Sequence, residues 1–280
     1  MQFRTESNIE AVSSKQWNSL VDSEFPFSEY AFLSALEKSG CVGEASGWVP
    51  CHQTLWKNKQ LQGALCLYEK NNGYGEYIFD WGWAKAYERN GLNYYPKLVS
   101  AIPFTPATGR KLLVHPEADT SRVQNKLIED ALACMRERNC SSLHFLFITA
   151  EELPVFESMG FLIRHSFQFH WKNNFYQDFD EFLGSLKRKR RKEIIRERRQ
   201  IQQQMIKVEV LEGEAILVEH INYIYEFYLS TSEKKWGRPY LSKDFFSRIH
   251  QTMCNNLVLF LAYVDGDCVA GTINFKNGKC

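Results

Sequence analysis

The stretch that decides the fold is LHFLFITAEELPVFESMGF, residues 143–161. It begins with a nearly continuous apolar run, which is typical of a strand that is buried on both faces. Residues 151–158 follow as a predicted short helix, with Pro154 in its first turn and Gly160 at its end. Phe161 then begins a further predicted strand. This order of elements predicts a sheet with helices packed on its faces.

The residues before this stretch extend the same pattern. Strands are predicted at 53–57 and 60–70, which form a hairpin, and at 111–114. Asp119 or Thr120 can cap the next helix, and its predicted apolar face consists of Val123, Leu127, Ile128, Ala131, Leu132 and Met135. The first half of the chain therefore predicts one mixed sheet, in the α+β class.

The second half begins the same order of elements again. A strand is predicted at 207–211, helices at 216–228 and 244–253, and then a hairpin that turns at Asp265-Gly266. Placing KNKQLQGALCLYEKN (57–71) over DGDCVAGTINFKNGK (265–279) aligns Gly63 with Gly271. We therefore expect two related units.

These patterns predict a domain at residues 1–171, a basic connecting helix at 172–205 and the start of a second domain at 206–280. The second unit stops at a hairpin, and folded proteins normally cover such unpaired edge strands. We therefore expect the sequence to be a fragment of a longer protein, with a half-sized second domain as the alternative.

Composition and charge narrow the class of protein. The chain of 280 residues is 44% hydrophobic and 24% charged, which is typical of a globular protein. No segment approaches the roughly 18 to 20 apolar residues of a membrane span, so we expect a cytoplasmic protein. The eight cysteines form no CxxC pair and are expected to be reduced, structural thiols. The histidines lack metal-ligand spacing, so no metal site is predicted.

The net charge is only +1, but one segment is strongly basic. Residues 187–199 carry nine Lys or Arg and two Glu. Strong helix formers and a narrow apolar stripe across 178–204 predict a connecting helix that is solvated on one face. The alternative is a helix that contacts RNA. Arg196 and Arg198 are candidates for holding a phosphate or carboxylate group, as is Lys235 before Trp236.

An aromatic stretch at 74–95 contains the first candidate site. Tyr-rich loops with Gly and Pro can line a binding site, so Trp81, Tyr94, Tyr95 and Lys97 are candidate substrate-binding residues. Asp80 beside Trp81 is the candidate general base, because an aromatic neighbourhood would raise the pKa of its carboxyl group. The alternative is that Asp80 caps a helix at 81–89.

A second candidate site lies on a predicted strand at 164–171. Alternation places Ser166, Gln168 and His170 on one face, where they could line a cleft, with His170 as a candidate catalytic residue. The opposite face, with Phe167, Phe169 and Trp171, is predicted to be core, and His165 to be a hydrogen-bonded interior residue.

Several motifs resemble a known family. Residues 143–161 resemble the closing section of the GNAT acyltransferase fold. The segments GEYIFDWGWAKAYERNGLNYYPKL (75–98), IPFTPATGRKLL (102–113) and SFQFHWKN (166–173) resemble the FemAB-like family of predicted GNAT N-acyltransferases. This resemblance covers essentially the whole chain and implies two GNAT-like domains in tandem, as in the Fem aminoacyl transferases that build peptidoglycan cross-bridges.

The resemblance also implies a chemistry. An amine would attack an activated acyl group directly, with acetyl-CoA or an aminoacyl-tRNA as the possible donor, and with the tRNA held by residues 187–199. No tightly bound cofactor is expected. The acceptor would be a small-molecule or peptide amine bound between the two domains.

The sequence departs from the GNAT pattern at VHPEADTSRVQNK, residues 114–126. GNAT enzymes that use acetyl-CoA hold its pyrophosphate on a glycine-containing loop at the start of a helix. This segment has no glycine and two acidic residues, so we expect that the first domain does not bind CoA in the usual way. A non-catalytic module that binds a ligand or RNA on a degenerate GNAT scaffold is therefore the alternative to an N-acyltransferase.

Overall fold

A computed structural model of the chain describes residues 1–21, 25–235 and 237–277. The predicted ligand-binding residue Trp236 and the terminal Cys280 lie outside these ranges. The strands are β1 (Gln2–Glu6), β2 (Trp48–Pro50), β3 (His52–Lys57), β4 (Gln60–Leu65), β5 (Tyr68–Lys70), β6 (Lys97–Ser100), β7 (Leu112–Val114), β8 (Leu143–Phe145), β9 (Lys207–Glu212), β10 (Leu257–Val264) and β11 (Asp267–Phe275). The helices are α1 (Ser14–Asn18), α2 (Tyr30–Lys38), α3 (Trp81–Arg89), α4 (Thr120–Glu137), α5 (Leu153–Ser158), α6 (Phe179–Ser185), α7 (Arg188–Gln203), α8 (Val218–Lys234) and α9 (Lys243–Met253).

The first half contains two sheets that meet along one hairpin. Their strand orders are β1-β3-β4-β7 and β2-β5-β6-β8, and only β6 and β8 pair in parallel. The chain runs from β2 into β3 through Cys51, whose N–H donates to the Leu67 carbonyl between β4 and β5 at 2.9 Å. The predicted hairpin is thus present, and it links the two sheets. The predicted mixed α/β class is confirmed.

Helix α4 covers one face of these sheets. Asp119 caps it by accepting a hydrogen bond from the Arg122 N–H at 3.0 Å, as the sequence predicts. Val123 and Leu127 of its apolar face are fully buried. Gly63 on β4 permits this packing, because a Cβ there would lie 2.4 Å from Cγ1 of Val123.

The second half repeats the order of the first. Its sheet has the order β11-β10-β9, and α8 and α9 lie between β9 and β10 just as α1 and α2 lie between β1 and β3. The two halves share one hydrophobic core, in which Phe32 of α2 packs edge-to-face on Phe245 of α9 and Phe275 of β11. The domain division at 1–171, 172–205 and 206–280 stays a prediction.

The predicted strand at 161–171 is wrong. This segment, called the strap below, forms no ladder with a neighbouring strand among the described residues, and Phe167 and Phe169 are 81% and 94% exposed. Its contacts are made by side chains instead: Arg164 donates to the Phe79 carbonyl and Gln168 to the Pro106 carbonyl. Alternation predicts an extended backbone, but strand pairing depends on which neighbour is within reach. His165 is exposed as well, which contradicts its predicted interior position.

Two further elements are shorter than predicted. The helix at 178–204 is divided into α6 and α7, since Leu186 leaves the helical conformation and Arg191 donates to the carbonyls of Gly184 and Leu186. The buried run at 143–148 is a strand only to Phe145, and His144 within it is half-buried.

Candidate functional site

Two lysines form the base of the candidate site. Lys70 on β5 lies directly opposite Lys97 on β6, so both side chains point from the same face of the sheet. Both are fully buried. His144 on the adjacent strand β8 pairs with Val99 and therefore extends the same face. Buried cations on neighbouring strands need anionic or hydrogen-bonding partners close by.

Loops before and after α3 supply those partners. Lys97 Nζ donates to Oε2 of Glu76 at 2.7 Å and to Oδ2 of Asp80. The Tyr94 hydroxyl donates to the same Asp80 oxygen. These residues form the ion cluster with Lys70 and His144; its members are Lys70, Glu76, Asp80, Tyr94, Lys97 and His144.

Lys70 has the weaker set of partners. Its Nζ donates to Oδ1 of Asn72 at 3.3 Å and to the Tyr74 carbonyl at 3.1 Å, and it lies 4.1 Å from the centre of the Trp48 ring. Neither hydrogen-bonding partner is charged. Burial therefore lowers the pKa of Lys70 to about 7, although Glu76 and Asp80 act in the opposite direction.

Asp80 does not have the raised pKa that the sequence predicts. Burial alone would raise the pKa of Asp80, but the hydrogen bonds from Lys97 and Tyr94 outweigh it and hold the pKa below its usual value. The sequence identified the aromatic neighbours but not the buried cation. The alternative, that Asp80 caps α3, holds only for its backbone. The Asp80 carbonyl accepts hydrogen bonds from the N–H groups of Trp83 and Ala84 at the start of α3, whereas its side chain makes no cap hydrogen bond.

Glu76 is the carboxyl group whose pKa is raised. Burial raises the pKa of Glu76, and the charge and hydrogen bond of Lys97 only partly oppose this rise. Its Oε1 is buried and has no hydrogen-bond partner. Sequence reasoning missed Glu76, although it lies four residues before Asp80 within the motif 75–98. A carboxyl group with a raised pKa and an unoccupied oxygen is suited to accept a proton.

His144 completes the ion cluster and was also missed. Its Nε2 lies 2.8 Å from Oγ of Ser142 and 3.4 Å from the Tyr94 hydroxyl. Burial lowers the pKa of His144 to about 4, and the charges of Lys97 and Arg164 add to this. The imidazole is therefore neutral at physiological pH.

Gly73 lies close to three predicted residues, Tyr95, Asp80 and Trp81. A Cβ placed on Gly73 would lie 2.8 Å from the Tyr95 hydroxyl and 3.8 Å from both Asp80 Oδ1 and Trp81 Nε1. Trp81 and Tyr74 are exposed here. The structure thus brings together Asp80, Trp81, Tyr94, Tyr95 and Lys97.

The other predicted residues lie away from the ion cluster. Ser166, Gln168 and His170 are exposed on the strap, where His170 Nε2 contacts Gln168 Oε1 at 3.2 Å. Arg164, which was not predicted, is the strap residue whose charge reaches His144.

The predicted basic residues form a separate group. Arg196 and Arg198 are exposed on α7, with Arg198 stacked 4.1 Å above the Phe179 ring, and Lys235 is exposed at the end of α8.

No group of three or more His, Cys, Asp or Glu in residues 1–21, 25–235 and 237–277 is arranged to hold a metal ion. The seven cysteines in these ranges are unpaired thiols. No helix in the same ranges is both long enough and apolar enough to cross a membrane.

Fold and site define a mixed α/β protein in which one strand-helix-hairpin order occurs twice and the first copy carries a buried ion cluster. Residues 8–280 match the model of the FemAB-like family, which is described as peptidoglycan biosynthesis/recognition. The chain belongs to this family, and the resemblance noted in its sequence is confirmed.

Solved structures with a similar chain fold include FemX, at 14% identity and a TM-score of 0.46, over 95% of this chain and 58% of FemX. Aminoglycoside 6'-N-acetyltransferase AAC(6')-IG from Acinetobacter haemolyticus is 17% identical over 62% of this chain and 99% of its own, with a TM-score of 0.37. A ribosomal-protein-alanine N-acetyltransferase from Brucella melitensis biovar Abortus 2308 is 12% identical over 61% of this chain and 100% of its own, with a TM-score of 0.39. No curated protein matches the chain.

The ion cluster predicts a large effect of removing its central cation. We expect Lys97→Met to lower the free energy of unfolding by about 3 to 5 kcal/mol, because Glu76 and Asp80 then lose their buried partner. Urea denaturation measures this. The control is Lys126→Met, which removes a surface pair with Asp130 and should cost about 0 to 1 kcal/mol. Adding Asp80→Asn to Lys97→Met should restore part of the lost free energy of unfolding, because one unpaired buried charge is removed. If Lys97→Met and Lys126→Met lower the free energy of unfolding equally, the ion cluster does not depend on Lys97.

Lys70 predicts a pH dependence of stability. The unfolded chain keeps the Lys70 proton to about pH 10.5, whereas the folded chain releases it near pH 7. Between these values the unfolded state binds more protons, so the free energy of unfolding should rise with pH. Urea denaturation from pH 7 to 8.5 should show a smaller rise for Lys70→Met than for the wild type. Parallel curves for the two proteins would show that Lys70 does not titrate in this window.

Proposed function

We propose that this chain is an N-acyltransferase that transfers an acetyl or aminoacyl group to an amine acceptor. The observation that carries the proposal is Glu76, a buried carboxyl group with a raised pKa and an unoccupied oxygen inside the ion cluster. Membership of the FemAB-like family supports the same reaction class. Since that family is described as peptidoglycan biosynthesis/recognition, the amine of a peptidoglycan precursor is the first acceptor to test, in the cytoplasm.

The reaction needs a proton acceptor. The acceptor amine attacks the acyl carbonyl carbon of a thioester or an ester, a C–N bond forms, and the C–S or C–O bond breaks. The leaving thiol or hydroxyl group takes up a proton, and the nitrogen loses one. A carboxylate whose pKa is raised toward neutrality removes this proton from the nitrogen more readily than an ordinary carboxylate does.

The residues of the ion cluster then divide into roles. Glu76 accepts the proton at Oε1, and Asp80 stays ionised and fixes Lys97 and Tyr94. Trp81 and Tyr95 contact the acceptor where it approaches Gly73. His170, the second catalytic residue that the sequence predicts, would act from the strap. Acetyl-CoA and aminoacyl-tRNA are both proposed donors, and the acceptor would bind where the two halves meet.

A transfer assay tests these roles. With acetyl-CoA, a longer acyl-CoA or aminoacyl-tRNA as donor, we expect Glu76→Gln to lower kcat/KM by about 100-fold or more, since an amide cannot accept the proton. Glu88→Gln on the exposed face of α3 is the matched control.

The same assay separates the alternatives. A larger loss from Asp80→Asn than from Glu76→Gln would assign the proton to Asp80, as the sequence alone predicts. A loss from His170→Ala would support the strap as part of the site. Wild-type protein that transfers no acyl group, and that no donor stabilises thermally, would favour the non-catalytic binding module.

One observation favours an RNA-binding role for α7. Its first turn contains Arg188, Lys189, Arg190 and Arg191 and no acidic residue. Cations are unfavourable at the N-terminal end of a helix, where the helix dipole is positive. Arg191 contacts the carbonyls at the end of α6 and Arg190 pairs with Glu193, whereas Arg188 and Lys189 are exposed. Exposed cations that break this local rule are expected to serve function. The proposed ligand is the anionic backbone of a tRNA.

The structure indicates which side chains should be changed. Arg191 is occupied by the carbonyls at the end of α6, so the test uses the exposed Arg188, Lys189 and Lys192. Changing these three to Ser should weaken tRNA binding and reduce the slope of log affinity against log salt by about two. The control changes the exposed Lys15, Lys57 and Lys85 to Ser. If both triple variants bind tRNA with the same slope, α7 is a solvated connector.

A further inference from the structure

An aromatic stack joins Phe104, which contacts the loop that carries Glu76, to the second half of the chain. Tyr240 stacks on Phe104 with ring centres 4.9 Å apart and ring planes 12° from parallel. Phe104 belongs to the first half and follows β6 in the sequence. Tyr240 belongs to the segment between α8 and α9. This stack lies at the edge of the shared hydrophobic core, against which Phe104 packs.

Tyr240 is held in place by helix α8. The hydroxyl oxygen of Tyr228 accepts hydrogen bonds from the N–H groups of Tyr240 at 2.6 Å and Leu241 at 3.0 Å. Tyr228 is itself packed against Phe246 of α9. The position of the Tyr240 ring therefore follows the position of α8.

Phe104 in turn contacts the loop before α3. Its N–H donates to the Gly75 carbonyl at 3.3 Å, and its ring fills the space where a Gly75 Cβ would stand, 2.6 Å from that point. Gly75 also has a φ of +80°, which glycine adopts without strain. Any residue with a Cβ would therefore be strained here and would collide with the Phe104 ring. The residue after Gly75 is Glu76.

The same ring also contacts the support of Lys70. Phe104 packs on Trp48 with ring centres 5.7 Å apart, and Trp48 Nε1 donates to the Tyr74 carbonyl at 3.0 Å. That carbonyl accepts in turn from Lys70. The contacts from Tyr240 therefore reach the Glu76 loop through Phe104, and reach Lys70 through Phe104 and Trp48.

We propose that Tyr240 is a positioning residue, which places the Glu76 loop over Lys70 according to the position of α8 in the second half. This inference goes beyond the proposed function and holds whether or not the chain transfers an acyl group. Its consequence is that a ligand which shifts α8 or the segment 237–241 changes the protonation of the ion cluster.

The reporter for this coupling is the titration of Lys70. The charged groups that face Lys70 are Glu76 and Asp80 from the loop and Lys97 from β6, and the Trp48 ring and Asn72 complete its surroundings. The loop excludes water from this group of residues. When the loop is displaced, water reaches Lys70 and its titration midpoint moves up toward the ordinary value of 10.5.

The experiment is an NMR titration of the full chain labelled with ¹³C at lysine. The Lys70 signal is assigned by its loss in Lys70→Met. In the wild type and in Tyr240→Phe we expect a midpoint near pH 7, because the contact with Phe104 is made by the ring. In Tyr240→Ala we expect it to rise by about one unit or more. Tyr263→Ala on β10, another tyrosine of the second half, is the control.

The outcomes decide the proposal. An unchanged midpoint in Tyr240→Ala, or an equal rise in Tyr263→Ala, would overturn it, and so would a wild-type midpoint near 10.5. If Tyr240→Ala does not fold, Tyr240→Leu keeps an apolar side chain but removes the stack, and should raise the midpoint in the same direction. Hydrogen exchange of the Phe104 N–H should accelerate in the same variants and not in Tyr263→Ala.

Discussion

The two buried lysines on adjacent strands are the constraint on which the first half of this protein depends. Lys70 and Lys97 face each other across β5 and β6, and their charges cannot share an apolar interior without anions nearby. The loops around α3 meet this requirement by bringing Glu76 and Asp80 over the sheet. The ion pairs of Glu76 and Asp80 thus determine the conformation of these aromatic, glycine-containing loops. That conformation in turn places the rings of Tyr74 and Trp81 at the surface.

The second half takes part in the same constraint. Its helix α9 packs on α2 through Phe245 and Phe32, and residues of both halves form one core. The repeated order of elements could have produced two separate units. The shared core around Phe32 and the stack of Phe104 on Tyr240 instead fix the second copy against the loops that cover the ion cluster.

Local sequence patterns predicted most helices and strands. The wrong predictions concern features that depend on contacts between residues distant in the sequence. The apolar spacing of α4 and the turn at Asp265-Gly266 depend on neighbouring residues, so the sequence shows them directly. The strap has an equally clear alternation, but whether it pairs depends on a distant strand edge. The same distinction applies to the site. The motif 75–98 located Asp80, but the direction of its pKa shift depends on Lys97, which is brought close only by folding.

The two buried carboxyl groups of the ion cluster have pKa values that are shifted in opposite directions. Asp80 accepts hydrogen bonds from Lys97 and Tyr94, which hold the pKa of its carboxyl group below the usual value. Glu76 and Lys70 are the remaining acid and base, and burial moves their pKa values toward each other, up for Glu76 and down for Lys70. Both shifts favour the uncharged forms, so burial brings neutral Glu76 and neutral Lys70 closer in free energy to their charged forms than they are in water.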